Sequence, residues 1–194
     1  MTSQGSFLMA AAWPVERREA VWLRTAVLVV LGTALIAVCA KIQVPMWPVP
    51  MTMQTFAVLV IGGAYGWRLG GATVLAYLAE GAAGLPVFAG ATAGPAYFAG
   101  PTTGYLIGFV LSAMLIGWLA ERGWDRDLPR LVIALAAASV VTFVAGVAWL
   151  AVLIGLSAAI ANGFTPFIPG MILKLALAAA LLTAGWHMVR RRRG

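Results

Sequence analysis

Long apolar runs alternate with short segments rich in glycine, proline or charged residues along the whole chain. Each run is near the length that a helix needs to cross roughly 30 Å of hydrocarbon. The runs lack the two-residue alternation of membrane β-barrel strands, so helices are expected. The pattern predicts an all-α integral membrane protein with six transmembrane helices. These predicted spans are residues 20–40, 51–65, 72–85, 105–120, 131–156 and 171–189.

The segments between these spans differ in character. Residues 45–50 contain three prolines, which exclude a regular helix and predict a loop that presses against the membrane surface. Residues 66–71 read as a short glycine-flanked turn, so the second and third spans are expected to form an antiparallel hairpin. Residues 86–104 carry no charge, and we expect them to fold over or into the protein rather than into solvent.

Composition and charge support a membrane location. Apolar residues make up 62% of the 194 positions and charged residues only 10%. Six spans place both termini on one side, together with eleven of the thirteen basic residues, so this side is predicted to be cytoplasmic. The eleven are Arg17, Arg18, Arg24, Arg68, Arg122, Arg126, Arg130 and Arg190 to Arg193. The net charge of +7 is therefore attributed to basic residues that flank the spans on the cytoplasmic side of the lipid bilayer, and not to nucleic-acid binding.

The expected organisation is a cytoplasmic segment 1–19, a single six-helix membrane domain 20–189 and a basic cytoplasmic tail 190–194. Three charged residues, Lys41, Glu80 and Lys174, are left towards the outer side. Lys41 ends the first span and is interpreted as an interface anchor.

Glu80 and Lys174 are expected at a similar depth of roughly 6 to 8 Å, so these opposite charges can share one pocket. Lys174 can instead snorkel to the interface, whereas glutamate is short and favours a structural partner or a ligand. The functional hypothesis is that Lys174 binds an anionic group of a small ligand. Glu80 would then accept hydrogen bonds from the ligand or orient a neighbour.

Further candidate contacts lie near the same outer side. They are Trp47, Tyr97, Phe98 and Phe167 as apolar walls, with Thr52, Gln54 and Asn162 as polar groups. Helix capping or solvation explains the three polar residues at least as well. In the first span a stripe of small residues allows close approach of another helix, either of this chain or of a partner subunit. The stripe consists of Ala26, Thr33, Ala37 and Ala40.

The groups needed for enzyme chemistry are missing from the sequence. It has one cysteine, Cys39, and one histidine, His187, and no acidic cluster with metal-ligand spacing. It also has no Ser/His/Asp set and no phosphate-binding loop. We therefore expect no metal and no cofactor, and we assign any ATP-driven work to another polypeptide.

Four stretches of the chain match motifs of a known family in the same order. They are residues 44–55 (VPMWPVPMTMQT), 80–90 (EGAAGLPVFAG), 100–109 (GPTTGYLIGF) and 169–174 (PGMILK). On these motifs the chain resembles the BioY family, the biotin-specific substrate-binding subunits of energy-coupling factor (ECF) transporters. The resemblance covers nearly the whole chain. It implies a subunit of the bacterial inner membrane that captures biotin at its outer face, with a ligand role for Lys174.

The resemblance also implies partners, namely a transmembrane coupling subunit and a pair of ABC ATPases, with the first-span stripe as a docking face. Two positions depart from the family pattern: Met171 stands where an aspartate is common, and Thr103-Gly104 where Gly-Gly is frequent. Met171 removes one acceptor for the biotin head group, a role that Glu80 is expected to take. Two rival hypotheses are the same fold with another vitamin and a membrane-embedded enzyme that uses Glu80 or Lys174 in acid/base work.

Overall fold

The structure, a computed structural model, describes residues 7–14 and 18–193. Its helices are α1 (Leu8–Ala12), α2 (Arg18–Lys41), α3 (Gln54–Ala82), α4 (Thr103–Glu121), α5 (Leu128–Ile154), α6 (Leu156–Gly163) and α7 (Ile168–Arg193). Short 3₁₀ turns at Pro95–Ala99, Trp124–Arg126 and Thr165–Phe167 lie in the connections. The predicted all-α fold is confirmed. Arg17, which belongs to the predicted cytoplasmic segment, lies outside the described residues.

Five segments of the described chain are long and apolar enough to cross a membrane. They are Glu19–Lys41, Gln54–Ala82, Thr103–Glu121, Leu128–Ile154 and Leu156–Arg191. Large apolar side chains face outward along them, as Leu23 and Val152 do at 67% and 79% exposure, which is expected of a multi-pass membrane protein. The sequence pattern predicted six spans, and the difference arises in α3, which takes up both the second and the third.

Helix α3 reverses direction at Gly66. This residue has φ 79° and ψ 172°, a backbone conformation that glycine adopts without steric strain. Gln54 Nε2 lies 2.6 Å from Tyr77 Oη, although a straight helix would separate these residues by about 35 Å. Gly62 and Gly70 also meet, because a Cβ on Gly70 would lie 3.0 Å from the Gly62 Cα. The antiparallel hairpin predicted for this region is therefore confirmed.

Helix α4 supports the turn at Gly66. Gly117 of α4 lies directly against it, because a Cβ there would come 2.5 Å from the Gly66 carbonyl carbon. The Trp67 N–H donates to Glu121 Oε1 at 3.2 Å, so a side chain of α4 provides its acceptor at the point where the helix is broken. The position of the turn is thus set by α3 and α4 together.

The proline-rich segment forms a two-stranded antiparallel hairpin, which was not predicted. Strands β1 (Gln43–Val44) and β2 (Met51–Thr52) pair Gln43 with Thr52 and Val44 with Met51. The prolines lie in the connection between the strands, where no ladder hydrogen bond is needed. The Met53 N–H donates to the carbonyls of Cys39 and Ile42, at 3.1 and 3.0 Å, and fixes the hairpin to the end of α2. We call this end of the molecule the hairpin end.

The uncharged segment between α3 and α4, residues 83–102, packs over the hairpin end, as its composition predicted. We call it the covering segment. Its Phe88 is fully buried, with the ring placed where a side chain on Gly81 would otherwise lie. Lys41 Nζ donates to the carbonyls of Phe88 and Gly90, at 2.8 and 2.9 Å. Lys41, which the sequence suggested as an interface anchor, therefore ties the covering segment to α2.

Two short helices were absent from the sequence prediction. Helix α1 lies within the predicted segment 1–19, and its Leu8, Ala10 and Ala11 are buried. Helix α6 follows Gly155, which has φ 84°, and α5 ends at Ile154, two residues before the predicted end of the fifth span. A break at a single glycine inside a continuous apolar run does not change the hydrophobic pattern, so neither the break nor α6 could be predicted from it.

Candidate functional site

A small inner cavity lies beneath the hairpin end. Its wall includes Thr52 of β2, Gln54 of α3, Tyr105 of α4, Phe143 of α5 and Lys174 of α7. Its volume is about 40 Å³, which is room for roughly three water molecules. Sites for drug-sized ligands usually measure roughly 300–1,000 Å³, so the inner cavity can hold one small chemical group rather than a whole ligand.

A larger outer cavity of about 470 Å³ lies between the β-hairpin and the covering segment. Four residues line both cavities: Pro50, Ala89, Tyr97 and Thr102. We call these four residues the neck. Since the cavities share walls at the neck, a ligand of moderate size can occupy the outer cavity while one end reaches into the inner cavity.

Lys174 supplies the positive charge of the inner cavity. Lys174 is 8% exposed. Within the described part of the chain, its ammonium group has neither a hydrogen bond nor an ion pair. Lys174 lies in the second turn of α7, and side chains on a helix tilt towards its N-terminal end, which here is the hairpin end. An ammonium group without a partner is unfavourable in a largely enclosed cavity, so the cavity favours an anionic group.

A chain of hydrogen bonds forms a polar edge beside Lys174. The Thr52 hydroxyl donates to Gln54 Oε1 at 2.9 Å, and Gln54 Nε2 donates to the Tyr77 hydroxyl oxygen at 2.6 Å. The Tyr77 hydroxyl donates to the Val87 carbonyl at 3.0 Å, which links the edge to the covering segment. Thr52, Gln54 and Tyr77 are all buried. Their orientations are therefore set before a ligand arrives, while Gln54 retains a second N–H for it.

Aromatic rings form an apolar wall of the inner cavity. Tyr105 lies 6.3 Å from both Phe143 and Phe167, measured between ring centroids. The Tyr105 hydroxyl donates to the Gly163 carbonyl at 2.7 Å, which joins α4 to the end of α6. Gly146 of α5 lies beneath the Tyr105 ring, where a side chain would overlap it. This wall suits an aliphatic or flat apolar part of a ligand.

A second aromatic cluster holds the covering segment in place above the neck. The Phe88 ring stacks on Tyr97 with a centroid distance of 4.4 Å and meets Tyr77 and Phe98 edge-on at 5.5 and 5.6 Å. Burial raises the pKa of the Tyr97 hydroxyl, so it remains a neutral hydrogen-bonding group. Tyr77 belongs to both the cluster and the polar edge, and the covering segment is therefore coupled to the inner cavity.

The structure brings four of the predicted ligand contacts together. Lys174, Gln54, Thr52 and Tyr97 line the inner cavity, as does Phe167, which the sequence suggested as an apolar wall. These five residues come from three regions of the chain, namely residues 52–54, Tyr97 and residues 167–174. Their assembly follows from the reversal of α3 and from the packing of the covering segment over the hairpin.

The other predicted contacts lie elsewhere. Trp47 is 81% exposed in the connection between the β-strands, and Phe98 packs behind Phe88. Asn162 Nδ2 donates to the Ala158 carbonyl of its own helix at 2.9 Å. Glu80 is half-buried near the end of α3 and does not line the inner cavity, although the sequence placed it at the depth of Lys174.

Several lining residues were missed by the sequence analysis, among them Tyr105, Phe109, Thr142 and Phe143. Thr142 is the polar member of this group, and its hydroxyl lies 2.6 Å from that of Ser112. The three aromatic residues are apolar positions within apolar spans, so hydrophobicity does not distinguish them from lipid-facing residues. Gly108 provides the one local signal, because its lack of a side chain allows α4 to approach α5 at Thr142.

The small residues of α2 are divided between internal packing and the surface. Thr33 and Ala40 are buried within the chain at 4% and 0% exposure, Ala37 is half-buried and Ala26 is exposed. The neighbouring Gly32 lies against Thr73 of α3, where a Cβ would come 2.5 Å from the threonine methyl group. Two of the four residues in the stripe, Thr33 and Ala40, thus serve internal packing, which is one of the two alternatives left open by the sequence.

Comparison with known proteins identifies the family. The BioY family model matches residues 9–191. The biotin transporter BioY of Thermotoga maritima is 37% identical over 150 residues, which cover 77% of this chain and 88% of that protein. The biotin transporter BioY2 of Lactococcus lactis is 34% identical over 152 residues, covering 77% and 83% of the two chains.

A solved structure agrees with these sequence relatives. The crystal structure of the S-component for biotin from an ECF-type ABC transporter matches with a TM-score of 0.77 and 26% identity, covering 93% of this chain and 96% of that chain. The relatives are transporters, which confirms the prediction that the chain is not an enzyme. Together, the match over residues 9–191 and the two curated relatives show that this chain belongs to the BioY family.

Proposed function

We propose that this protein is a biotin-binding membrane transport subunit that places the carboxylate of biotin against Lys174. The observation that carries this proposal is a lysine that is only 8% exposed, whose ammonium group has no described partner, in a cavity that has room for one small group. The biotin carboxylate supplies the missing negative charge and two acceptor oxygens. The similarity to biotin transporters and to the solved S-component for biotin supports biotin as the ligand.

The sizes of the two cavities suggest how the rest of biotin is accommodated. The carboxylate enters the inner cavity, and its aliphatic chain passes the aromatic wall of Tyr105 and Phe143. The fused ring system then lies in the outer cavity, where its ureido group faces the neck residues Tyr97 and Thr102. In this arrangement Met171 and Glu80 make no contact with the carboxylate, and hydrogen bonding to the ring depends on the hairpin and the covering segment.

Replacement of Lys174 tests this function. A charge-assisted hydrogen bond is worth roughly 1.5–3 kcal/mol, so Lys174→Ala should weaken biotin binding by about 10- to 150-fold. The measurement is equilibrium binding of labelled biotin to purified protein, with thiamin and riboflavin as competitors. Leu173→Ala, at the neighbouring and 60% exposed position, is the matched control and should bind biotin like the unmodified protein.

Biotin amide, which lacks the negative charge, distinguishes a direct contact from a general loss of structure. The unmodified protein should prefer biotin to the amide by the same factor that Lys174→Ala loses, and the variant should bind the two ligands equally. Equal affinity of the unmodified protein for biotin and its amide would refute the assignment of the carboxylate to Lys174. Displacement of labelled biotin by thiamin or riboflavin would instead point to another vitamin.

We further propose six membrane crossings with both termini in the cytoplasm of a bacterial cell, so that the hairpin end and both cavities face outward. The reversal at Gly66 and the positions of the basic residues support this arrangement. Uptake then requires a transmembrane coupling subunit and ABC ATPases, in line with the ECF-type transporter from which the similar S-component comes. Co-purification of these subunits with the tagged chain tests the assembly.

A further inference from the structure

An apolar groove lies far from the biotin site, at the end of the molecule where α1 meets the C-terminal part of α7. We call this the terminal end. The groove has a volume of about 470 Å³ and is lined by α1, the middle of α3 and the last turns of α7. Leu8, Val60, Leu182 and Met188 are typical of its walls, and its described lining contains no polar or charged side chain. Such a surface is complementary to hydrocarbon.

The path of α1 shapes the groove. Leu8 packs on Gly185 of α7, where a Cβ would come 2.7 Å from the leucine Cδ2. Leu8 and Ala11 are buried, whereas Ala12 lines the groove from an exposed position. The groove therefore lies along the contact between α1 and α7.

Arginine residues lie next to the groove at α1 and at the end of α7. Val189, the last lining residue of α7, is followed directly by Arg190 and Arg191, which are both exposed. On the α1 side, Arg24 donates from Nη1 to the Trp13 carbonyl at 2.8 Å, next to the lining residue Pro14. Arg24 Nε is shielded from solvent and has no acceptor among the described residues.

We infer that this groove binds one anionic phospholipid, with an acyl chain in the groove and the phosphate among Arg24, Arg190 and Arg191. The apolar walls are complementary to hydrocarbon, and the neighbouring arginines are complementary to an anion. A phospholipid of the surrounding bilayer carries both groups in one molecule. Basic pockets between helices at the membrane surface are suited to anionic headgroups. The lipid would join α1 to α7 and steady the terminal end.

Native mass spectrometry of delipidated protein tests this inference with phosphatidylglycerol and phosphatidylcholine of identical acyl chains. We expect saturable binding of one phosphatidylglycerol per chain, at a concentration at least tenfold lower than phosphatidylcholine requires. Ala12→Trp fills the groove from an exposed position and should abolish the saturable site. Ala184→Trp, at an exposed position of α7 that does not line the groove, should keep it.

The role of the neighbouring arginines is tested separately. Replacing both Arg190 and Arg191 with glutamine should reduce the preference for phosphatidylglycerol at least threefold, whereas Arg122→Gln should not change it. Arg122 is a suitable control because it is exposed and lies over the Trp118 ring, away from the groove. Equal binding of the two lipids by the unmodified protein, or an unchanged site in Ala12→Trp, would overturn the inference. Melting temperatures of the variants verify that each is folded.

Discussion

Asp125 is a buried carboxyl group whose ionisation affects the stability of the folded chain. It lies between α4 and α5, outside the candidate spans, and is 3% exposed. Its Oδ2 accepts a hydrogen bond from Trp186 Nε1 at 2.6 Å, whereas no described residue pairs with Oδ1. Burial raises the pKa of Asp125 from 3.8 to about 6. The folded chain therefore holds this proton more tightly, and the resulting stabilisation is complete below about pH 4 and lost as the pH rises through about 6.

Trp186→Phe should make this pH dependence steeper. The substitution removes the donor to the buried carboxyl group, which costs roughly 1–3 kcal/mol, or about 2–4 °C in melting temperature for each kcal/mol. The ionised form needs the donor most, so the loss should be larger at pH 8 than at pH 5. Scanning fluorimetry at both pH values measures it. Trp22→Phe, at a 72% exposed position, is the control, and an equal loss at the two pH values would contradict the role assigned to Asp125.

The inner cavity shows which single residues a sequence can reveal. Lys174 and Gln54 were found because a charged or polar group inside an apolar span is unfavourable without a specific contact. Tyr105 and Phe143 give no such signal, since ligand-facing and lipid-facing aromatic residues have the same hydrophobicity. Glu80 was placed near Lys174 from depth alone, and depth does not determine the direction in which a helix faces.

Among the secondary-structure elements, the covering segment depends on one close contact with α3. Gly81→Ala would place a methyl group in the volume of the Phe88 ring and should displace this ring from its cluster. We expect a lower melting temperature and weaker biotin binding, because Tyr77 connects the cluster to the polar edge. Phe88→Leu, added to Gly81→Ala, should restore part of both properties by making room.

The control for this prediction is Ala79→Val, at an exposed position of the same helix. It should leave the melting temperature and biotin affinity nearly unchanged. Additive losses from Gly81→Ala and Phe88→Leu in the double variant would show that the two positions do not share the proposed contact. Melting temperature and labelled-biotin binding are measured for the four proteins of this double-mutant cycle, which are the unmodified protein, the two single variants and the double variant.

The elements themselves were predictable to different degrees. The apolar runs gave the long helices and the glycine-flanked turn gave the reversal of α3, since length and turn chemistry are local properties. The β-hairpin was missed because only four residues pair, and prolines dominate the segment. Helices α1 and α6 were missed because they are only five and eight residues long, and they bury Leu8 and Ala159 by packing against other parts of the chain, which a local pattern does not reveal.

For the molecule as a whole, charge and shape both distinguish the two ends. The hairpin end carries the two cavities, whereas the turn at Gly66 and helix α1 lie at the terminal end with most of the arginines. The parts of α3 before and after Gly66 are 12 and 16 residues long, or roughly 18 and 24 Å. Each is shorter than the roughly 30 Å hydrocarbon thickness, so in the proposed six-crossing arrangement flanking residues or local thinning would have to complete the two crossings.

Cysteine labelling in intact cells tests this orientation. In a Cys39→Ala background, Trp47→Cys at the exposed hairpin tip should react with a membrane-impermeant maleimide. Arg68→Cys, at the exposed position next to the turn of α3, should react only after the membrane is permeabilised. Labelling of Arg68→Cys in intact cells would invert the proposed topology. Failure to label it even in permeabilised cells would show that α3 does not bring its turn to the aqueous face, and the six-crossing arrangement would then be wrong.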